Sequence, residues 1–475
     1  MKQFDAVVVG AGPGGYVCAI RLAQLGKKTA IIEKQYFGGV CLNVGCIPSK
    51  ALIHAADFYW KMKNETGGMG ISASAVDLDL EKMQAWKNGI VKKLSTGVSS
   101  LLKMNGVESI KGIAQFKDAK TIEVITPNGR ELVTADAFVI ATGSRSVELR
   151  GVAFNGKNII SSTEALDLKL LPKKLVVIGG GFIGLEIGFV YAKLGSQVTV
   201  VEALDQILPN TDKELISPVE KRMKKLGMNV YVKAKALGLK EKNPAENSLL
   251  HLDIETVEGQ RTLEADAILV SVGRRPNTDG MGLEDLGIKL DTKKFIPTDQ
   301  ACLTNIPGIY AIGDVTAGPL LAHRASMDGL IVAASIAGER SFKDYKTVPW
   351  AVFSDPEIAA CGLTEKELQE KGIKYRAGKF PFAANARSLT LNSTEGLVKV
   401  LIDEGSDAVL GVHIVGPEAS SLIAEAALAI EMGATAEDIM RTIHTHPTLP
   451  EVFPEAFEAA YSKAIHIFKP ERERR

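Results

Sequence analysis

The sequence predicts an α/β fold: two copies of a strand–loop–helix–strand unit, then a C-terminal α+β segment. Three observations predict it. A glycine-rich loop with GxGxxG spacing follows a short apolar strand at residue 10 and again at residue 179. Each loop opens into an apolar helix and a second strand that ends on Glu. From Tyr345 onward that pattern gives way to mixed short strands and one apolar helix, Leu422–Met432.

Size and composition set the frame. The chain has 475 residues, which suggests about three domains at roughly 150 residues each. With 46% hydrophobic and 24% charged residues, it has ample material for large cores, which excludes disorder as its main state. Lys plus Arg and Asp plus Glu both number 56. No overall field therefore favours nucleic acid or an anionic membrane. Five cysteines do not make a secreted disulfide scaffold. The run Ala6–Val9 after the start is too short for a signal peptide, so a cytoplasmic chain, or a trimmed organellar one, is expected. The longest apolar stretch, Leu175–Ala192, has Gly180, Gly184 and Gly188 at small-residue packing spacing. Glu186 and the triplet Gly179–Gly181 interrupt it, so a strand and a helix are expected there, not a membrane span. The charged tail Lys469–Arg475 is expected to fray.

The first unit reads as strand Phe4–Val9, loop Gly10-Ala11-Gly12-Pro13-Gly14-Gly15, helix to about Leu25, and strand Lys28–Glu33. The second reads as strand Leu175–Ile178, loop Gly179-Gly180-Gly181-Phe182-Ile183-Gly184, helix to about Leu194, and strand Gln197–Glu202. In such a loop the first Gly allows the tight turn. The second lets a pyrophosphate approach the backbone, and the third lets helix and strand pack closely. Unpaired N–H groups at the helix start bind the phosphate. Glu33 and Glu202 each fall 18 residues after the third Gly, where a carboxylate accepts from an adenosine ribose. One such loop is a common turn. Two copies in the same context, with Glu at the same offset, predict two Rossmann-like dinucleotide-binding domains. A carboxylate at Glu202 repels a 2′-phosphate, so NAD is expected over NADP if the second unit takes a nicotinamide dinucleotide.

Between the repeats stands Gly38-Gly39-Val40-Cys41-Leu42-Asn43-Val44-Gly45-Cys46-Ile47-Pro48-Ser49-Lys50. Gly45 lets the loop between the cysteines bend. Pro48 suits a first helical turn, which puts Cys46 near a helix N-terminus where a thiolate is favoured. Lys50 lies four residues on, along the same helical face. A structural bridge and half a zinc site are the plainer readings. Zinc needs further ligands at short spacing and none is nearby, so no metal is expected. A redox-active pair is favoured. Cys18, Cys302 and Cys361 sit alone in apolar contexts as core filler. Glu186, an acid inside an apolar helix, needs a partner.

Near the end, two of the seven His fall in His444-Thr445-His446-Pro447-Thr448-Leu449-Pro450-Glu451. Pro447 biases His446 toward extended backbone, and Glu451 is placed to orient its imidazole. This pattern reads as a general base with its orienting partner. A metal-binding His-x-His ranks behind it.

The cysteine segment resembles the redox-disulfide segment of the pyridine nucleotide–disulfide oxidoreductases, in the branch that oxidises dihydrolipoamide. The resemblance extends over essentially the whole chain. It implies tight, non-covalent FAD and exchangeable NAD+/NADH. It divides the chain into an FAD-binding segment 1–148, an NAD-binding segment 149–273, a returning FAD-binding or central segment 274–344 and an interface segment 345–475, the last an α+β dimerisation domain. Cofactor contacts are then expected at Gly10, Gly12, Pro13, Gly14, Gly15, Glu33, Lys34, Gly39, Val40, Cys41, Cys46 and Lys50. Further contacts are expected at Ala114, in Ala141-Thr142-Gly143-Ser144, at Gly273 and Arg274, at Gly313 and Asp314, and in Leu321-Ala322-His323. Asp314 would bind a ribityl hydroxyl. The second unit would use Gly179, Gly180, Gly181, Phe182, Ile183, Gly184, Glu186, Glu202 and Ala236. By the same resemblance Cys41, Cys46, His446, Glu451, Lys50 and Glu186 form the catalytic set. Glu186 would pair with Lys50 near the flavin, and His446 would serve the partner subunit's disulfide, which implies a homodimer. His444 would support His446. Pro450 departs from the small or polar residue of many relatives and should stiffen the loop. Expected partners are a lipoyl-bearing acyltransferase subunit of a 2-oxoacid dehydrogenase complex or a glycine cleavage H protein, with no nucleic acid. A glutathione-reductase-like reading is disfavoured by Glu202, Ser49 and Leu42. A mercuric-reductase-like one lacks its C-terminal cysteine pair, and a transhydrogenase-like one would lack Cys41. A non-catalytic NAD sensor has no use for the cysteines, His446 and Glu451 together.

Overall fold

The computed structural model describes residues 2–167, 169–209, 211–241 and 248–468. The tail Lys469–Arg475, expected to fray, lies outside them. The chain divides into two units: Met1–Lys173 with Gly238–His251 and Glu264–Asp344, and Lys174–Leu237 with Leu252–Leu263 and Tyr345–Arg475.

The first unit is framed by a seven-stranded sheet. Its central strand, Lys2–Val9, pairs in parallel with Thr29–Glu33 on one side and Gly129–Ile140 on the other. Strand Glu108–Lys111 extends the first edge, and Ile309–Ala311 runs parallel to the end of Gly129–Ile140. The far edge is antiparallel, through Thr121–Thr126 and Ile113–Asp118. The central strand reads as a continuous apolar run because both its faces are covered. Phe4, Val7 and Val9 enter one core, whereas Ala6 and Val8 enter the other. Helix Pro13–Gln24 covers the second core with Cys18, Ala19 and Leu22, and helix Ala322–Ala337 packs against it. Small residues allow that approach, since a Cβ on Gly329 would fall 2.6 Å from the Gly14 carbonyl oxygen. Strand order reverses between Lys2–Val9 and Gly129–Ile140, and the crevice at their carboxyl ends is where open α/β sheets bind ligands.

In the second unit, Gln197–Val201 lies parallel between Lys174–Ile178 and Asn229–Tyr231. Helix Phe182–Leu194 is buried from Gly184 to its end. That burial accounts for the long apolar stretch in the sequence, because a helix covered on all sides is apolar all round. Among the described residues one helical segment, Gly39–Asn64, is apolar and long enough to cross a membrane by length and composition alone. It breaks at Gly45 into helices Gly39–Val44 and Cys46–Asn64, and Pro48, Ser49, Ala51, Leu52 and Ala56 of the latter are buried. The unit ends in a five-stranded antiparallel sheet ordered Trp350–Val352, Glu357–Gly362, Val409–Gly416, Leu397–Asp403, Tyr375–Pro381. Helices Ala419–Met432 and Val452–Ala460 bury Leu422, Ala426, Phe453 and Phe457 in its core. Lys399, on the fourth of these strands, is fully buried. Its ammonium donates to Asp212 at 2.8 Å, to Glu214 at 2.6 Å and to Glu365. These three acids form the one group of potential metal ligands found among the described residues, and the Lys399 ammonium sits among them. Burial opposes that charge, but the three carboxylates outweigh it and raise the Lys399 pKa above its ordinary value.

Candidate active site

The two glycine loops fold alike, residue for residue. Gly10 and Gly179 adopt φ of 103° and 105°, a left-handed geometry that glycine takes without strain. Gly12 and Gly181 are the N-caps of their helices, with φ/ψ of −67°/−178° and −76°/179°. A Cβ on either would meet nothing within 4 Å. A Cβ on Gly15 would instead fall 1.9 Å from the Gly10 carbonyl oxygen. The turn, the open approach and the close packing are thus distributed as a pyrophosphate cradle requires.

Each acid holds its own loop. Glu33 is nearly buried, and its carboxylate accepts from Ala11 N–H at 2.7 Å and from the Gln35 and Tyr36 N–H groups. Glu202 accepts from Gly180 N–H at 2.7 Å and Leu204 N–H at 2.8 Å. A carboxylate offers about four lone-pair sites, so both keep capacity for ribose hydroxyls. Sequence reasoning assigned these acids to the ribose and missed the loop contacts. Their shared offset in the two repeats was the signal for both. The repeat extends further. Gly112 N–H donates to the Glu33 carbonyl and Ala234 N–H to the Glu202 carbonyl. Ala114 and Ala236 stand two residues beyond these donors.

The cysteine segment folds onto the first loop. A Cβ on Gly39 would fall 2.5 Å from Gly12 Cα, so the start of the redox segment touches the phosphate cradle. Cys41 and Cys46 form a disulfide with Cα atoms 4.6 Å apart. Where the sequence suggested a bending loop, Cys41 lies in the short helix Gly39–Val44 and Cys46 opens the long helix Cys46–Asn64. Gly45 makes the break; a Cβ there would press on Val40 O at 2.9 Å. Asn43 Nδ2 donates to Phe37 O and Gly39 O at 3.0 and 2.9 Å and clamps the turn, a role the sequence did not disclose. The other three cysteines are buried and free. Burial pushes the Cys302 and Cys361 thiols up to about 12 and raises Cys18 as well.

Asp314 belongs to a network drawn from distant segments. Ser144 Oγ–H donates to Asp314 Oδ2 at 2.6 Å, and Arg274 Nε–H donates to Ser144 Oγ at 2.8 Å. Strands Ser144–Ser146 and Arg274–Pro276 pair antiparallel and set that contact. Burial lowers the Arg274 pKa while the Asp314 charge pushes it back up. Thr142 Oγ1 donates to Asn277 O at 2.7 Å. A Cβ on Gly313 would touch Ala325 Cβ at 3.0 Å, so this turn lies beside the helix that Ala322 opens, with Leu321 as its N-cap. Lys34 and Val40 are exposed.

In the second unit His446 Nδ1 pairs with Glu451 Oε1 at 2.8 Å, and Glu451 Oε2 accepts from Thr448 N–H at 2.7 Å. Burial pushes the Glu451 carboxyl up, but the Thr448 N–H and His446 outweigh it and hold it below its usual range. With Nδ1 held by a carboxylate, Nε2 is the nitrogen that takes a proton. Pro450 lies inside the one-turn helix Leu449–Glu451. His444 uses both nitrogens elsewhere, on Glu425 Oε1 at 2.8 Å and Thr442 O at 3.0 Å. It therefore anchors the segment with both nitrogens engaged. Glu186 is buried, and its Oε1 accepts from Phe353 N–H at 3.0 Å.

Two dinucleotide cradles, one of them beside a disulfide between neighbouring cysteines, and a His–Glu pair are the equipment of a dinucleotide-dependent disulfide oxidoreductase. The chain belongs to the pyridine nucleotide-disulphide oxidoreductase family, whose model matches residues 4–329, and it carries that family's dimerisation domain at residues 348–457. It is 49% identical over 465 residues to dihydrolipoyl dehydrogenase of Geobacillus stearothermophilus, covering 98% of each chain. It is 45% identical over 467 residues to mitochondrial dihydrolipoyl dehydrogenase 1 of Arabidopsis thaliana, covering 98% of this chain and 91% of that one. The crystal structure of LpdA from Mycobacterium tuberculosis is similar at a TM-score of 0.88 and 28% identity, over 96% of this chain and 99% of that one.

Proposed function

We propose that the chain oxidises protein-bound dihydrolipoamide to lipoamide and delivers the electrons to NAD+, as the names of its relatives indicate. The observation that carries this reading is the Cys41–Cys46 disulfide seated on the first phosphate cradle. FAD, held by Gly10 to Gly15, Glu33 and Asp314, would supply two-electron transfer between thiols and nicotinamide. His446, oriented by Glu451, takes the proton of one substrate thiol. The resulting thiolate attacks Cys41 Sγ, the Cys41–Cys46 bond breaks, and Cys46 leaves as a thiolate. The second substrate thiol displaces Cys41 from the mixed disulfide, which releases lipoamide and leaves two reduced cysteines. The helix that begins at Cys46, together with Lys50, favours the thiolate there. Glu186 is read as the partner of Lys50, and Glu202 as the group that selects NAD over NADP.

The working form is proposed as a homodimer in which each His446 serves the other subunit's disulfide; the matched dimerisation domain supports it. The proposed partner is the lipoyl arm of a 2-oxoacid dehydrogenase complex or of the glycine cleavage system. The proposed setting is the cytoplasm, with the mitochondrial matrix as the alternative. The segments 1–148, 149–273, 274–344 and 345–475 are kept as the working domain boundaries.

The test compares dihydrolipoamide plus NAD+ with oxidised glutathione plus NADPH on purified yellow protein. Turnover of the first pair alone is expected. Cys46→Ser should retain flavin and lose that activity, and His446→Gln should lose most of it with binding intact. Full turnover by Cys46→Ser would sink the mechanism.

A further inference from the structure

Glu186 is held from outside its own helix, by the tip of a β-hairpin. Strands Trp350–Val352 and Glu357–Gly362 pair antiparallel, and residues 353–356 connect them. Phe353 N–H donates to Glu186 Oε1 at 3.0 Å. Two residues on, Asp355 Oδ2 accepts from Lys193 Nζ at 2.6 Å and from Arg222 Nε at 2.7 Å. Glu186 and Lys193 are seven residues apart on helix Phe182–Leu194. They therefore share one face, roughly 10 Å apart along the axis. The tip spans that distance and is fastened at both ends. Arg222 adds a third anchor from helix Lys213–Lys225.

The fastening is ionic and buried on its cationic side, while the Asp355 side chain is 28% exposed. Glu186, Lys193 and Arg222 are 5%, 4% and 7% exposed. One carboxylate oxygen receives both cations, and burying cations without such a partner is costly. Ser354 Oγ–H donates to Pro356 O at 2.7 Å and closes the turn internally. The tip thus meets the buried Glu186 carboxylate through the Phe353 N–H. That carboxylate lies five residues into the helix that follows the second phosphate loop.

We propose that Asp355 is a positioning residue for hydride exchange with the nicotinamide. By tying the hairpin tip to Lys193 and Arg222, it keeps Phe353 N–H on Glu186 and so fixes the direction of that carboxylate. The proposal rests on the reading above in one respect, that Glu186 pairs with Lys50 near the flavin and belongs to the second unit's cofactor contacts. It does not depend on which disulfide the enzyme uses.

The experiment is a double-mutant cycle on the flavin-loaded protein. Anaerobic flavin reduction by NADH is followed by rapid mixing in wild type, Asp355→Asn, Glu186→Gln and the double variant. Amide hydrogen exchange of the peptide containing Phe353 is measured in parallel, with and without flavin. Asp355→Asn should slow reduction at saturating NADH by about fivefold or more, yet change it by less than about twofold in the Glu186→Gln background, the non-additivity of residues acting through one contact. Phe353 should lose exchange protection in Asp355→Asn, and Asp355→Glu should restore both rate and protection. Equal slowing in the two backgrounds, or a lowered melting temperature with rate and protection unchanged, overturns the proposal. If NADH reduces the flavin but dihydrolipoamide is not oxidised, the substrate reading falls, and the cycle still decides the role of Asp355.

Discussion

Gly12→Ala adds one methyl to the space on which the flavin reading depends. The backbone there, at φ −67° and ψ −178°, is open to any L-residue, and the new Cβ meets no protein atom within 4 Å. The fold itself should not suffer. Restricting the unfolded chain should even stabilise the apoprotein by about 0.4–1 kcal/mol. The cost falls on the ligand, because Gly12 caps the helix whose first N–H groups are to hold the pyrophosphate. Displacing the phosphate enough to lose one charge-assisted hydrogen bond costs about 1.5–3 kcal/mol. That corresponds to roughly 10- to 150-fold in Kd. Gly15→Ala is the contrasting control, since its Cβ would fall 1.9 Å from the Gly10 carbonyl oxygen and should disrupt the loop itself. The assay is FAD titration of apoprotein by fluorescence quenching, with thermal unfolding of each apoprotein alongside. Gly12→Ala should melt at or slightly above wild type and bind FAD weakly, whereas Gly15→Ala should melt lower. A Gly12→Ala apoprotein that melts several degrees lower, or that binds FAD as tightly as wild type, refutes the reasoning.

Three further outcomes are expected. Gly181→Ala should stay yellow and raise KM for NAD+ by roughly 10-fold or more, by the same loss at the second cradle; an unchanged KM would separate that loop from nicotinamide binding. Lys399→Met should leave Asp212, Glu214 and Glu365 facing one another and destabilise the protein by about 3–5 kcal/mol near neutral pH. In wild type burial pushes the Glu214 carboxyl up, but Lys379 and Lys399 outweigh it and hold it below its usual range, so that stabilisation is present above the ordinary carboxylate value and the deficit should shrink as pH falls toward 4–5; a pH-independent deficit in urea unfolding would count against the ionic account. Native, reduced protein should show two thiols to an aromatic disulfide reagent at pH 8, and denatured protein all five, because Cys18, Cys302 and Cys361 are buried with raised pKa values. A third thiol reacting in the native state would mean that one of those cores opens.

Much of the molecule was legible in the chain because its signals are local. Loop spacing with the Glu at the end of each second strand, the cysteine segment and the His–Glu offset are each confined to a stretch of about 25 residues or fewer, near enough for backbone geometry to impose its rules on sequence. Strand boundaries shifted by a residue or two, and strand Gly129–Ile140, whose continuous apolar run is only Ala137–Ile140, was not legible along its whole length. The extra length pairs with the antiparallel edge, where polar residues alternate outward and leave no continuous apolar run.

By itself, the sequence determined which local units form: two phosphate cradles, a helix opening at a cysteine, and an imidazole with a carboxylate five residues on. Only the tertiary structure decided which of them meet. Gly39 rests on Gly12, Ser144 and Arg274 converge on Asp314, Lys399 gathers three acids, and a hairpin tip reaches Glu186. These contacts join residues up to 187 positions apart. Such pairings arise from the packing of whole sheets and helices, and no periodicity along the chain encodes them.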